Sequence, residues 1–116
     1  MKQKLSKKEE TTSWGKRLYY SNQDNTIRFA LYWYNDDKST IYFSNLFVDE
    51  KYRNKGIADK ILEFAFKYAK KHKYKNIILN VEIGSWMQKW YERKGFTFLE
   101  RAKGEYVGND WMIKNL

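Results

Sequence analysis

One stretch of this chain restricts its fold more than any other: residues 41–69, IYFSNLFVDEKYRNKGIADKILEFAFKYA. It opens as a strand, with Ile41, Phe43, Phe47 and Val48 set among Tyr42 and Leu46. It closes as a helix. Ile57, Ala58, Ile61, Leu62, Ala65, Phe66 and Ala69 recur at three- and four-residue spacing, with Lys60, Glu63, Lys67 and Lys70 between them. Such an apolar stripe has to be buried against another layer. Joining strand to helix is Arg53-Asn54-Lys55-Gly56-Ile57-Ala58, basic and carrying one glycine. The first turn of a helix offers unpaired N–H groups and a partial positive charge, and glycine lets a ligand approach the backbone. The turn is therefore suited to phosphate.

The rest of the chain supplies partners for that unit. Residues 1–13, MKQKLSKKEETTS, are nearly devoid of apolar side chains and are expected to form a flexible basic arm ahead of a single domain at 14–116. Trp14 to Tyr20 reads as a short strand. Ile27, Phe29, Leu31 and Trp33 alternate along a second, and Asn35-Asp36-Asp37-Lys38 turns it into the strand at 40–48. Beyond the helix at 57–72, Ile77 to Glu82 reads as a buried strand joined by a parallel crossover. A second helix at 85–94 gathers Trp86, Met87, Trp90 and Tyr91 on one face, and Gly95 ends it. Phe96 to Arg101 and Tyr106 to Lys114 close the chain as an antiparallel pair.

Two segments, in the same order, resemble the GNAT superfamily of acetyl-CoA-dependent N-acetyltransferases. Arg53-x-x-Gly56-x-Ala58, following Leu46-Phe47-Val48-Asp49, is similar to the family's pyrophosphate loop, Gln/Arg-x-x-Gly-x-Gly/Ala. Trp90-Tyr91-Glu92-Arg93-Lys94-Gly95-Phe96 is similar to its Leu-Tyr-Glu-Lys-x-Gly-Phe segment. The resemblance spans residues 27–116 and implies an α/β (α+β) single-domain GNAT fold. Its sheet is mixed and mostly antiparallel, with a central parallel pair at 41–48 and 77–82 that splays apart. One departure stands at the front. Only Ser21 to Thr26 is available where the family usually places two helices beside the acceptor, so the acceptor groove is expected to be open or completed by a partner chain.

The resemblance also implies roles. The pantetheine of acetyl-CoA would hydrogen-bond to the backbone of Leu46, Phe47 and Val48, with the Val48 N–H facing the oxyanion. The pyrophosphate would rest on Asn54, Lys55, Gly56, Ile57, Ala58 and Asp59, while Arg53 and Lys55 either add charge or face solvent. Ser85 stands beside Gly84, at the place of an asparagine that often touches pantetheine. Tyr91 would be the general acid, since a phenol with a pKa of about 10 protonates a thiolate while staying neutral at pH 7. The carboxylate that many relatives carry ahead of the aliphatic triplet is replaced by Ser44 and Asn45. The base is thus Asn45 ordering a water, or Glu82 acting directly.

Composition bounds the alternatives. There is no cysteine, hence no disulfide, thiolate metal site or cysteine nucleophile, and the single histidine, His72, lies among lysines. No metal is expected. No apolar run is long enough to span a bilayer and no secretory signal is evident, so cytoplasmic residence is expected. The net charge of +9 fits a polyanionic co-substrate, an anionic partner or merely a solvated lysine-rich surface. The absence of Gly-x-Gly-x-x-Gly and Gly-x-x-x-x-Gly-Lys argues against dinucleotide and nucleotide loops. Three readings follow: an N-acetyltransferase acting on an unidentified primary amine, a non-catalytic CoA-binding protein of the same fold, and a small basic nucleic-acid-binding module. For the last there is no recognition motif. A homodimer through the C-terminal strand is a further expectation.

Overall fold

The computed structural model describes residues 4–116. The expected alternation along Ile27–Tyr34 (β3) sets the frame: Ile27, Phe29 and Leu31 are buried, and their strand pairs antiparallel with Gly15–Ser21 (β2) and Thr40–Val48 (β4). Ile57–Lys71 (α1) returns the chain to Asn76–Glu82 (β5), which runs parallel to β4. Trp86–Arg93 (α2), Thr97–Arg101 (β6) and Asn109–Asn115 (β7) follow, with β7 inserted between β5 and β6. With Ser6–Thr11 as β1, the seven-stranded sheet has the order β1-β2-β3-β4-β5-β7-β6.

Two expectations are corrected here. Residues 6–11 are strand β1, paired along its length with β2 from Ser6↔Ser21 to Thr11↔Lys16, and not a mobile arm. Its side chains are all exposed, so composition carries no trace of it. Main-chain hydrogen bonds hold it, supported by contacts of Glu9 with Lys16 (3.9 Å) and Glu10 with Arg17 (4.0 Å). The last strand begins at Asn109 rather than Tyr106, because Gly104–Tyr106 forms a 3-10 turn.

The core lies on one face of the sheet. Ile57, Ile61, Leu62, Ala65 and Ala69 of α1 and Tyr91 of α2 pack with Ile27, Phe29, Leu31, Ile41, Phe43, Ile77, Leu79 and Met112. Burying a side chain such as Leu or Ile contributes roughly 1.5–3 kcal/mol, so this layer carries most of the stability. The other face bears Arg17, Tyr32, Tyr42 and Trp111 and no helix from the described residues. The β2–β3 connection closes tightly, the Asn22 N–H donating to the Ile27 carbonyl at 3.0 Å, which leaves no room for helices there.

Candidate active site

The parallel pairing of β4 and β5 lasts only three residues, Thr40↔Asn76, Ile41↔Ile77 and Tyr42↔Ile78. From Phe43 onward the strands diverge. The cause is a bulge: Arg28 pairs with Phe47 but Ala30 with Ser44, so β4 holds one residue more than β3 across this interval. Asn45 takes up the excess at φ 57°, a left-handed conformation that asparagine tolerates better than most residues. Beyond the bulge the Asp49 N–H donates to the Thr26 carbonyl (2.8 Å), which makes Ile27–Val48 a non-hydrogen-bonded pair. The Val48 N–H therefore points away from β3, into the gap. The backbone of Phe47, one step back in the ladder, is turned toward β3 instead, and its ring lies under the Arg28 guanidinium at 4.3 Å.

A groove of about 580 Å³ continues from this gap to the start of α1. Leu46, Phe47 and Val48 form one wall, Trp86, Met87 and Trp90 of α2 another, and Arg53, Asn54 and Gly56 to Asp59 its end. Gly56 is the N-cap residue of α1 at φ 77° and gives no side-chain cap. The amides of Ile57, Ala58 and Asp59 precede the first intrahelical bond, Lys60 N–H to Gly56 carbonyl (3.1 Å), and are available to an anion. Asn54, at φ 63°, shapes the approach to this turn. Arg53 is exposed but tethered, its Nε donating to the Val48 carbonyl at 2.9 Å. Lys55 is exposed and does not line the groove. The Asp59 carboxylate pairs with Lys94 Nζ at 2.5 Å, tying the first turn of α1 to the end of α2.

Tyr91 is only 5% exposed and reaches a cleft shared with Phe43, Ser44, Asn45, Glu82 and Ser85. Burial pushes its phenol well above the ordinary tyrosine value, so it stays protonated at neutral pH. Its ring packs edge-on against Phe96 at 5.5 Å. Ser85 has a structural task as well. Its hydroxyl donates to the Glu82 carbonyl (2.7 Å) and accepts from the Gln88 N–H (3.2 Å), so it caps α2.

Of the two candidates for the base, Asn45 and Glu82 both line the cleft and both are exposed. Sequence reasoning passed over two further groups. Asn80 lies between them in the cleft wall, its Oδ1 accepting from the Asn109 side chain and its Nδ2 buried with no hydrogen-bond partner. Gln88 links the Gly84 N–H (2.8 Å) to Asp110 (2.9 Å), whose other oxygen accepts from Arg101 Nε at 2.8 Å. That chain of bonds fixes the start of α2, and with it Tyr91, against β7. Among the described residues no group of three His, Asp or Glu is placed to hold a metal ion.

The acetyltransferase (GNAT) domain family matches residues 14–98. The chain belongs to the GNAT acetyltransferases. Their co-substrate is acetyl-CoA. No curated protein matches this chain. Solved structures agree on the fold. A GNAT family acetyltransferase from Elizabethkingia anophelis with acetyl-CoA bound is 16% identical, with 97% of this chain and 98% of that chain covered and a TM-score of 0.64. A GNAT acetyltransferase from Staphylococcus aureus is 24% identical over 88% of this chain and 68% of its own, with a TM-score of 0.67. An acetyltransferase from Streptococcus agalactiae is 20% identical over 88% and 67%, with a TM-score of 0.66.

Proposed function

We propose that this chain transfers an acetyl group from acetyl-CoA to a primary amine by direct attack. The observation that carries the reading is the β4–β5 gap, with the Val48 N–H on one side and buried, protonated Tyr91 on the other. The neutral amine nitrogen adds to the thioester carbonyl, forming the C–N bond and a tetrahedral intermediate. The Val48 N–H donates to its oxyanion. As the intermediate collapses, the C–S bond breaks and sulfur takes a proton from Tyr91, while the amine proton leaves through water held near Asn45 or to Glu82. The uncapped amides of Ile57, Ala58 and Asp59 hold the pyrophosphate, with Gly56 keeping the approach clear.

A second reading, a CoA-binding protein without turnover, is favoured by one fact: among the described residues Glu82 is the sole carboxylate lining the cleft, and it is exposed. Titration of acetyl-CoA into the protein tests the shared part of both. A carboxylate placed at the start of α1 meets the pyrophosphate as a like charge, so Gly56→Glu is expected to weaken acetyl-CoA by about a hundredfold. Equal affinity in the two proteins would remove the proposed phosphate site.

A further inference from the structure

The gap has a second mouth. On the helix-free face a hollow of about 450 Å³ is bordered by Arg17, Tyr32, Tyr34, Glu105, Tyr106 and Trp111. Its remaining lining, Phe43, Ser44, Asn45 and Asn80, also lines the cleft beside Tyr91. A molecule seated there reaches the β4–β5 gap from the side opposite the core.

Aromatic rings follow one another along this hollow, all of them but Tyr42 in its lining. Tyr34 stands edge-on to Tyr32 at 6.0 Å, Tyr32 stacks on Tyr42 at 4.8 Å, Trp111 meets Tyr42 edge-on at 6.3 Å, and Tyr106 meets Trp111 at 5.8 Å. Electron-rich ring faces attract cations. The row already holds one at its near end, where the Arg17 guanidinium lies 5.4 Å from the Tyr32 ring and 5.3 Å from Trp14. That charge is answered within the fold, by Glu10 at 4.0 Å and by a hydrogen bond to the Tyr19 hydroxyl at 2.9 Å. At the far end Glu105 has no ion-pair partner among the described residues, although the chain carries a net charge of +9. A carboxylate and a row of π faces on an otherwise basic protein complement a cation.

We propose that this hollow is the acceptor subsite and that it takes a small diamine. One nitrogen, kept as ammonium, lies on the Tyr106–Trp111 end of the row beside Glu105, and the other enters the gap neutral, between Asn45 and Asn80. The inference rests on the acetyl-transfer reading. The step balances as before: one C–N bond forms, one C–S bond breaks, one proton leaves the attacking nitrogen and one arrives at sulfur. The distant ammonium is unchanged.

The test compares pentane-1,5-diamine with pentylamine, both titrated into the protein in the presence of CoA and both assayed as acetyl acceptors. The diamine is expected to bind saturably and to show a kcat/KM about tenfold or more above the monoamine. Glu105→Gln and Tyr106→Leu should each bring that ratio within about threefold of unity while acetyl-CoA affinity stays unchanged. Equal kcat/KM for the two amines, or a ratio that both variants leave intact, overturns the proposal. So does an absence of saturable diamine binding, whether or not acetyl-CoA binds. Failure of acetyl-CoA to bind is a separate result. It removes the transfer reading, and diamine binding weakened by Glu105→Gln would then retain the hollow as a cation site.

Discussion

The two faces of this sheet are built from the same strands and neighbouring residues, yet they are held by different means. On one face Ile27, Phe29 and Leu31 vanish under α1, at 3% exposure or less. On the other, Tyr32, Tyr42 and Trp111 stand in a row with no α-helix of the described residues over them, and Tyr34 is 37% exposed. The first face is stabilised by burial of aliphatic area, the second by ring-to-ring and ring-to-cation contacts. With the proposed diamine hollow on the second face, stability and acceptor chemistry are separated across the thickness of one sheet.

The sharpest way to break that separation is to cut both faces and compare. Leu62→Ala removes a side chain that is 1% exposed against the covered face and should cost roughly 2–5 kcal/mol in urea unfolding. Tyr91→Phe, at the seam, should lower kcat by about a hundredfold with acetyl-CoA affinity unchanged, as measured by steady-state kinetics and titration. A drop confined to KM would show that the hydroxyl binds rather than protonates.

A pH series sharpens the comparison further. The phenols of Tyr91 and Tyr32, one on each side, are both held above the ordinary tyrosine value, chiefly by burial. A folded-state pKa above the unfolded value of about 10 means that the contribution is complete below pH 10. It is lost as pH rises further, because the unfolded chain ionises first. Tyr91→Phe should therefore lose less stability than the parent between about pH 9 and 11, read from urea midpoints. The smallest effect is expected for Tyr34→Leu, about 1 kcal/mol in the same unfolding assay, from the loss of its ring contacts with Trp14 and Tyr42.

Much of the covered face was legible in the sequence because it obeys short-range periodicity. The strand spacing of Ile27 to Leu31, the helical spacing of Ile57 to Ala69 and the placement of Gly56 before a helix are local facts. What escaped depends on pairing at a distance. Strand β1 is made by main-chain bonds to β2, and no side-chain pattern announces it. Asn80 gains its place in the cleft only because β7 lies beside β5 and brings Asn109 to it. Ser85, expected beside the pantetheine, is also the cap of α2. An Asn or Ser three residues before Gln is itself a capping signal, so that assignment was within reach. The aromatic residues of β3 and β4 were visible as a group, but not that Glu105 and Tyr106 from the β6–β7 connection would close one end of their row.

The bulge at Asn45 works like a change of reading frame. Before it the odd-numbered residues of β4, Ile41 and Phe43, face the core; after it the even-numbered Val48 does, while Phe47 turns to Arg28. A loop of this length would absorb one residue more or less at little cost. Here deletion of Asn45 would restore simple alternation, leave Leu46, Phe47 and Val48 on their present sides, and remove the bulge that parts β4 from β5. Along this strand the count of residues is as much a part of the site as their identity.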